Sequence, residues 1–121
     1  MKANRDYIEF IDHLIAMTQN NTVSWRRSSP PNNLMGTEQE VDFVYTTTYQ
    51  GKYLRVYEEN YKHFTDEFEF FWAERPIVEF TDIHSTPLWR FPILSNTYNL
   101  LEAIRYKDAG VDDFISSVLG R

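Results

Sequence analysis

The spacing of hydrophobic residues changes twice along the chain, and this constrains the fold more than any other sequence feature. Before about residue 19 the apolar side chains recur at helical spacing, from Val41 onward they alternate, and after Ser95 the helical spacing returns. Strands grouped between helices are typical of an α+β fold and not of a parallel α/β fold. We therefore predict an N-terminal helix, an antiparallel meander of four or five strands, and one or two C-terminal helices.

The terminal helices each carry one apolar stripe. The first stripe consists of Tyr7, Ile8, Ile11, Leu14, Ile15 and Thr18, and the second of Tyr98, Leu100, Leu101, Ala103 and Ile104. Gly110 is expected to end the second helix, and Asp112 to begin a short last one. We predict that Tyr7, Ile11, Leu14 and Ile15 pack with Leu101 and Ile104 over one face of the meander.

The alternating region begins with a hairpin. The segments VDFVYTTTY (41–49) and KYLRVYEENY (52–61) flank Gln50 and Gly51, and a glycine at this place favours a tight turn. Leu54 and Val56 share one face of the second segment, whereas Tyr53, Arg55 and Tyr57 share the other. The hairpin therefore has an aliphatic side and a tyrosine side.

The segment EFEFFWAERPIVEF (67–80) is the most aromatic part of the chain. Phe68, Phe70 and Trp72 alternate with Glu67, Glu69 and Phe71, and Pro76 is expected to break or kink the strand. We expect this row of rings to lie on the covered face of the sheet, with Glu67 and Glu69 in water. Trp25, Trp72 and Trp89 are accordingly predicted to be mostly buried.

The segment RRSSPPNNLMGTEQE (26–40) has no hydrophobic period and contains two prolines. It is predicted to be a loop, and a loop of this length is at the upper end for a compact domain. It is interpreted as a variable surface loop, with a functional role as the alternative.

Length and charge narrow the class of protein. A chain of 121 residues is predicted to form a single domain over residues 1–121, and the absence of cysteine excludes disulfides and cysteine-ligated metals. The formal net charge of −6 opposes binding to nucleic acid. Because no apolar run has the length of a signal peptide or a membrane span, we predict a cytoplasmic protein that binds neither nucleic acid nor a membrane.

Chemistry-bearing residues do not form a recognisable catalytic set. His63 with Asp66, and His84 with Asp82, could form histidine–carboxylate pairs, but a metal site needs three such groups. The four glycines are isolated, so no phosphate-binding loop is present. We predict that the protein is not an enzyme and has no catalytic, metal-binding or cofactor-binding residues.

Three segments carry a resemblance to a group of small proteins: FIDHLIAMTQNNTVSW (10–25), PLWRFP (87–92) and LLEAIRYKDAGVDDFISSVL (100–119). They resemble the opening helix, last strand and closing helices of small bacterial and phage single-domain proteins with a helix–β-meander–helix order. Most of that group have no known function, and some are linked to bacterial conflict and defence systems. The resemblance implies a fold and a setting, and no site residues.

A tyrosine-rich surface suggests a function. If the helices cover the aliphatic side of the hairpin, then Tyr45, Tyr49, Tyr53, Arg55 and Tyr57 point outward, and such residues are enriched at interfaces. A bulge, or cover on the opposite face, would bury the rings instead. We predict a non-catalytic protein-binding module of the immunity, adaptor or anti-defence inhibitor type, with these five residues as its protein-binding site.

The predicted partner is another protein, with a basic surface because the chain is acidic; a second copy of the chain is the alternative partner. The alternative function is binding of a small nucleotide-like ligand. Its anion contacts would come from five arginines: Arg26, Arg27, Arg55, Arg75 and Arg90.

Overall fold

The computed structural model describes residues 1–121 and confirms an α+β fold with an antiparallel sheet. Contacts group the chain into two compact units, Met1–Trp25 with Leu94–Arg121 and Arg26–Ile93. The first unit is helical and the second contains the sheet. The assignment of residues 1–121 to a single domain stays a prediction.

The helical unit contains α1 (Asn4–Gln19), α2 (Thr97–Asp108) and α3 (Val111–Leu119). Helices α1 and α2 pack against each other. Their fully buried aliphatic residues are Ile11, Leu14, Leu100, Leu101 and Ile104. The Asn96 amide before α2 donates hydrogen bonds to the Ile8 carbonyl at 2.9 Å and to the Asp12 carboxylate at 2.8 Å. The predicted core stripe is thus confirmed for four of its residues, while Tyr7 and Ile15 are half-buried and packing over the sheet stays a prediction.

Helix α3 follows Gly110, whose φ of 67° lies in the left-handed region that glycine adopts without strain. None of the residues of α3 is buried. Four of its apolar residues are 44–70% exposed: Phe114, Ile115, Val118 and Leu119. The last helix of the prediction is therefore present, but its apolar stripe contributes little to the core.

The sheet has six antiparallel strands. These are β1 (Arg26–Ser28), β2 (Gln39–Glu40), β3 (Val44–Tyr49), β4 (Lys52–Phe64), β5 (Phe70–Thr81) and β6 (Pro87–Arg90). The order is β1-β3-β4-β5-β6, and β2 pairs with β4 beyond the point where β3 pairs with it. The predicted loop at 26–40 therefore contains two short strands, and a 3₁₀ turn at Asn32–Leu34 lies between them.

Strand β5 continues through Pro76, where a break or kink was predicted. Pro76 lies opposite Glu58 of β4, whereas β6 pairs only with residues 79–81 of β5. At Pro76 the strand is therefore an edge strand, where a residue without an N–H is tolerated because one side of the strand has no ladder to interrupt.

Cross-strand register assigns each side chain to one of two sheet faces, because directly opposite residues of antiparallel strands point to the same side. We call the face with Arg55, Arg75 and Arg90 the arginine face, and the face with Trp72 and Trp89 the tryptophan face. On the arginine face, a buried cluster connects the segment that was predicted as a loop with the sheet. Its residues are Leu34, Val41, Val44, Tyr57 and Ile77.

Candidate functional site

The five residues of the predicted tyrosine surface do not share a face. Tyr45 lies opposite Val56, so Tyr45 and Tyr49 are on the tryptophan face, whereas Tyr53, Arg55 and Tyr57 are on the arginine face. The reason is the two-residue turn at Gln50 and Gly51. It pairs odd-numbered residues of β3 with even-numbered residues of β4, so odd residues of the two strands point in opposite directions.

Burial also contradicts the outward orientation predicted for three of these residues. Tyr45 is 7% exposed, Arg55 is 1% exposed and Tyr57 is fully buried, whereas Tyr53 is 39% exposed and Tyr49 is half-buried. The contiguous outward patch of four tyrosines around Arg55 is therefore absent. A binding role for the five residues stays a prediction, and Tyr53 is the most accessible of them.

Arg55 is instead the centre of a buried ion pair. Its Nε and Nη2 donate to Glu79 Oε1 at 2.8 and 2.6 Å, and its Nη1 donates to the Ser85 carbonyl at 3.1 Å. Burial, followed by the Glu79 carboxylate, raises the pKa of the neighbouring Tyr57 phenol well above its usual value. Arg55 thus holds the β5–β6 turn onto the sheet, which is a structural role.

Two further arginines on the same face are partly exposed. Arg75 Nε donates to the buried Glu59 carboxylate at 2.8 Å. Arg90 lies 3.8 Å from Glu59 and 3.7 Å from Glu79, and its Nη2 donates to the Tyr57 hydroxyl at 3.3 Å. The buried carboxylates are thus surrounded by three guanidinium groups, which compensates for part of the cost of removing charge from water.

The most exposed aromatic surface is the far end of the β4–β5 hairpin. We call residues 61–74 the aromatic arm. Strands β3 and β6 do not reach it: β3 pairs with residues 52–57 of β4, and β6 pairs with residues 79–81 of β5. Its six Phe, Tyr and Trp residues are Tyr61, Phe64, Phe68, Phe70, Phe71 and Trp72.

On the tryptophan face of the aromatic arm, Phe64, Phe70 and Trp72 form a row. Their ring centroids are 5.6 Å apart for Phe64 and Phe70 and 6.3 Å apart for Phe70 and Trp72, the latter edge to face. The three residues are 43–47% exposed. Phe68, at the tip, is 85% exposed.

On the arginine face of the aromatic arm, Tyr61, His63 and Phe71 form a second row. The His63 and Phe71 rings are 4.9 Å apart, and the Arg75 guanidinium lies 4.3 Å above the Tyr61 ring. Phe71 is 53% exposed. The arm therefore presents aromatic rings on both of its faces, and a turn joins its two strands at the tip.

The structure corrects three predictions about aromatic residues. Phe68, Phe70 and Trp72 do not lie on a covered face, and Trp72 and Trp89, which is 42% exposed, are not mostly buried. Trp25 is half-buried, and its indole donates to Thr18 Oγ1 at 3.0 Å. The run Phe70-Phe71-Trp72 indicates that rings point to both faces of the strand, because consecutive strand residues alternate, but it does not indicate that either face is exposed.

The two aspartates of the predicted histidine–carboxylate pairs bind backbone N–H groups. The Asp66 carboxylate accepts hydrogen bonds from the backbone N–H groups of Phe68 and Glu69, both at 2.8 Å. The Asp82 carboxylate accepts from the backbone of His84 and Thr86, and these bonds lower the pKa of Asp82. Both aspartates thus stabilise turns, and no group of three or more metal-ligating side chains converges in the chain.

The helical unit has a cavity of about 540 Å³ near the start of α3. Trp25, Ile104 and Asp112 contribute to its lining. The Asp112 carboxylate accepts a hydrogen bond from the Tyr106 hydroxyl at 2.6 Å and lies 3.6 Å from the Lys107 ammonium, so it is already engaged within the protein.

No protein-family model, no curated protein and no solved structure matches the chain. The resemblance to small helix–β-meander–helix proteins therefore stays an expectation from the sequence. None of the helices has the length and apolar character needed to cross a membrane.

Proposed function

We propose that the chain is a non-catalytic protein-binding module, of the immunity, adaptor or anti-defence inhibitor type, and that the aromatic arm is its contact surface. The observation that carries the proposal is the exposure of aromatic rings on both faces of a hairpin that extends beyond β3 and β6. Clustered exposed apolar surface is uncommon on proteins that act alone and marks interaction sites. Tyr and Trp are also among the residues that contribute most to binding energy.

The charge of the aromatic arm favours a partner with a basic surface. Residues 61–74 contain one lysine and four carboxylates (Asp66, Glu67, Glu69 and Glu74), a formal net charge of −3. The whole chain carries −6. Opposite charge on the partner would raise the association rate by electrostatic steering.

A second copy of the chain is less favoured as the partner of the arm. Two arms in contact would bring two charges of −3 together, and like charges across an interface weaken association. A homodimer thus remains the alternative, and it predicts self-association that strengthens with salt, whereas a basic partner predicts binding that weakens with salt.

The nucleotide-like ligand has less support from the arginines. Arg55 and Arg75 are already paired with the buried carboxylates of Glu79 and Glu59. The Arg27 guanidinium lies 4.9 Å from the centroid of the Phe43 ring. An anionic ligand would have to compete with these internal carboxylates.

The test is affinity capture from the source cell, followed by reconstitution with the purified partner and measurement of the dissociation constant. Phe71→Ser with Trp72→Ser removes one ring from each face of the aromatic arm and is expected to weaken binding at least about 100-fold, the scale of interface hot spots. Trp89→Ser is the matched control, because Trp89 is similarly exposed but lies outside the arm. Equal affinity of the arm variant and the wild type, with both folded, would move the contact surface elsewhere.

A further inference from the structure

Lys62 lies among the rings on the tryptophan face of the aromatic arm. Its ammonium is 4.4 Å from the centroid of the Phe70 ring and 5.8 Å from that of Trp72. These two rings are almost perpendicular, at 88°, so they form two walls around the ammonium, and Phe64 lies beyond Phe70. Aromatic walls of this kind are how proteins hold alkylated or free ammonium groups.

The ammonium of Lys62 is held by rings and not by a carboxylate. The arm carries four acidic residues, yet the groups that the Lys62 ammonium contacts are the rings of Phe70 and Trp72. Glu74 follows Trp72 by two residues and therefore shares its face of the strand. The face thus combines exposed rings with negative charge, the combination that attracts cations from outside.

We propose that Phe70 and Trp72 form a cage for a cationic side chain of the partner, a lysine, methylated lysine or arginine, and that Lys62 occupies this cage in the free protein. The proposal rests on the proposed function and adds the chemical group that the arm recognises. The partner's cation displaces Lys62, whose four-carbon stem lets the ammonium swing into water. Lys62 is then an internal competitor that lowers the affinity of the free protein for its partner.

The size of this competition follows from the strength of an exposed cation–π contact. Such a contact corresponds to a factor of about 2 to 5 in an equilibrium constant. Lys62→Met keeps the length and the apolar stem of the side chain but removes the ammonium. It is expected to tighten binding of a cationic probe by about that factor.

The probe is a synthetic nine-residue peptide of alternating glycine and lysine, compared with a version in which trimethyllysine replaces lysine and a version in which glutamate does. Binding is followed by the indole N–H signals of the uniformly ¹⁵N-labelled protein. The chain has three tryptophans, which serve as separate reporters. Trp72 lies in the cage, Trp89 on the same sheet face outside the arm, and Trp25 in the helical unit.

The expected result is a saturable shift of the Trp72 signal with both cationic peptides and none with the glutamate peptide, while Trp25 and Trp89 do not shift. Trp72→Ala removes the reporter indole, so this variant is followed by the backbone amide signals of the arm, and it should abolish binding. Trp89→Ala should leave binding unchanged. Because Lys62→Met also removes a positive charge, its gain is measured at about 0.15 and 0.5 M salt. A gain in affinity caused by long-range charge decreases at the higher salt concentration, because salt screens it. A gain caused by freeing the cage of the Lys62 ammonium is expected at both salt concentrations.

Three outcomes overturn the cage. One is unchanged or weaker binding by Lys62→Met when its arm amide signals match those of the wild type. Another is that Trp72→Ala still binds the cationic peptides whereas Phe71→Ala does not. That result would place recognition on the arginine face, and it would not contradict the proposed function. The third is that neither cationic peptide shifts the indole signal of Trp72 in the wild type. The proposed function is then tested separately, by the affinity of the arm variant for the reconstituted partner.

Discussion

The two halves of the β4–β5 hairpin have the same backbone pairing but opposite surroundings. At its base, Val56, Tyr57, Ile77 and Val78 are at most 1% exposed, whereas in the aromatic arm Phe70, Phe71 and Trp72 are 43–53% exposed. Both halves carry large apolar side chains on both faces of one continuous antiparallel ladder. The difference is that β3 and β6 flank the base and end before the arm.

A side chain's identity therefore does not determine its burial in a sheet. A pair of strands can bury its faces only where further elements lie against it, and an isolated two-stranded ribbon is marginally stable in water. The arm is therefore maintained by the base from which it extends. A surface of this kind keeps its rings available for a partner without having to form a core of its own.

The largest effect is expected from breaking the ion pair at the base. Arg55→Met leaves the Glu79 carboxylate buried without its main partner, and removing one member of a buried pair costs about 3–5 kcal/mol of unfolding free energy. Chemical denaturation measures this change. The double variant Arg55→Met with Glu79→Leu is the control, because it removes both charges, and it should recover much of the loss. A cost below about 1 kcal/mol for Arg55→Met alone would contradict the buried pair.

The next prediction compares one residue from each half. Ile77→Ala at the base is expected to lower the unfolding free energy by about 2–5 kcal/mol, because it opens a cavity in the cluster around Tyr57. Phe71→Ala in the aromatic arm deletes a larger side chain, but one that is half in water, so its cost should be about 1 kcal/mol or less. Urea denaturation of the two variants measures both values. Equal costs would mean that the arm is packed as tightly as the base.

The sequence predicted the architecture better than the surface. The change from helical to alternating spacing was sufficient for the α+β fold, and Gln50-Gly51 marked a hairpin that the structure contains. The predicted tyrosine surface is wrong because a two-residue turn pairs odd-numbered residues of β3 with even-numbered residues of β4, which places the tyrosines of the two strands on opposite faces. This parity can be derived from the sequence. The exposure of Trp72 was harder to predict, because it depends on where β3 and β6 end. The residues around Trp72 do not indicate how long those two strands are.

A smaller effect, confined to alkaline pH, is expected from Tyr57 at the base. Its pKa is raised above the ordinary value of 10.0, chiefly because the phenol is buried and then because the Glu79 carboxylate is near. Above pH 10 the unfolded chain would lose this proton while the folded protein keeps it. The unfolding free energy should therefore fall as pH rises, by up to about 1.4 kcal/mol per pH unit from this group.

Tyr57→Phe removes that group, so the stability of the variant should fall less steeply above pH 10 than that of the wild type. Tyr53→Phe, which removes an exposed phenol from the same strand, is the control and should keep the wild-type slope. Denaturation curves collected at intervals between pH 8 and pH 11 compare the three proteins. Parallel curves for Tyr57→Phe and the wild type would show that the phenol is not shielded from solvent.

The smallest effect on global stability is expected at the tip of the aromatic arm. The Asp66 carboxylate accepts the backbone N–H groups of Phe68 and Glu69 and so fixes the turn between β4 and β5. Asp66→Ala leaves these donors to water at an exposed site. The unfolding free energy should change by no more than about 0.5 kcal/mol, as for most surface substitutions.

The local effect of Asp66→Ala should nevertheless be clear. Hydrogen exchange of the arm amides is expected to accelerate severalfold, while amides at the base keep their rates, because the arm can open without the rest of the sheet. Glu67→Ala is the matched control: it removes the same charge from the neighbouring residue without removing the turn acceptor. Faster exchange in both halves of the hairpin would show that arm and base open together. The two halves would then differ in the exposure of their side chains but not in their local stability. Exchange confined to the arm would establish it as a separately opening segment, able to adjust its rings to a partner while Arg55, Tyr57 and Glu79 hold the base unchanged.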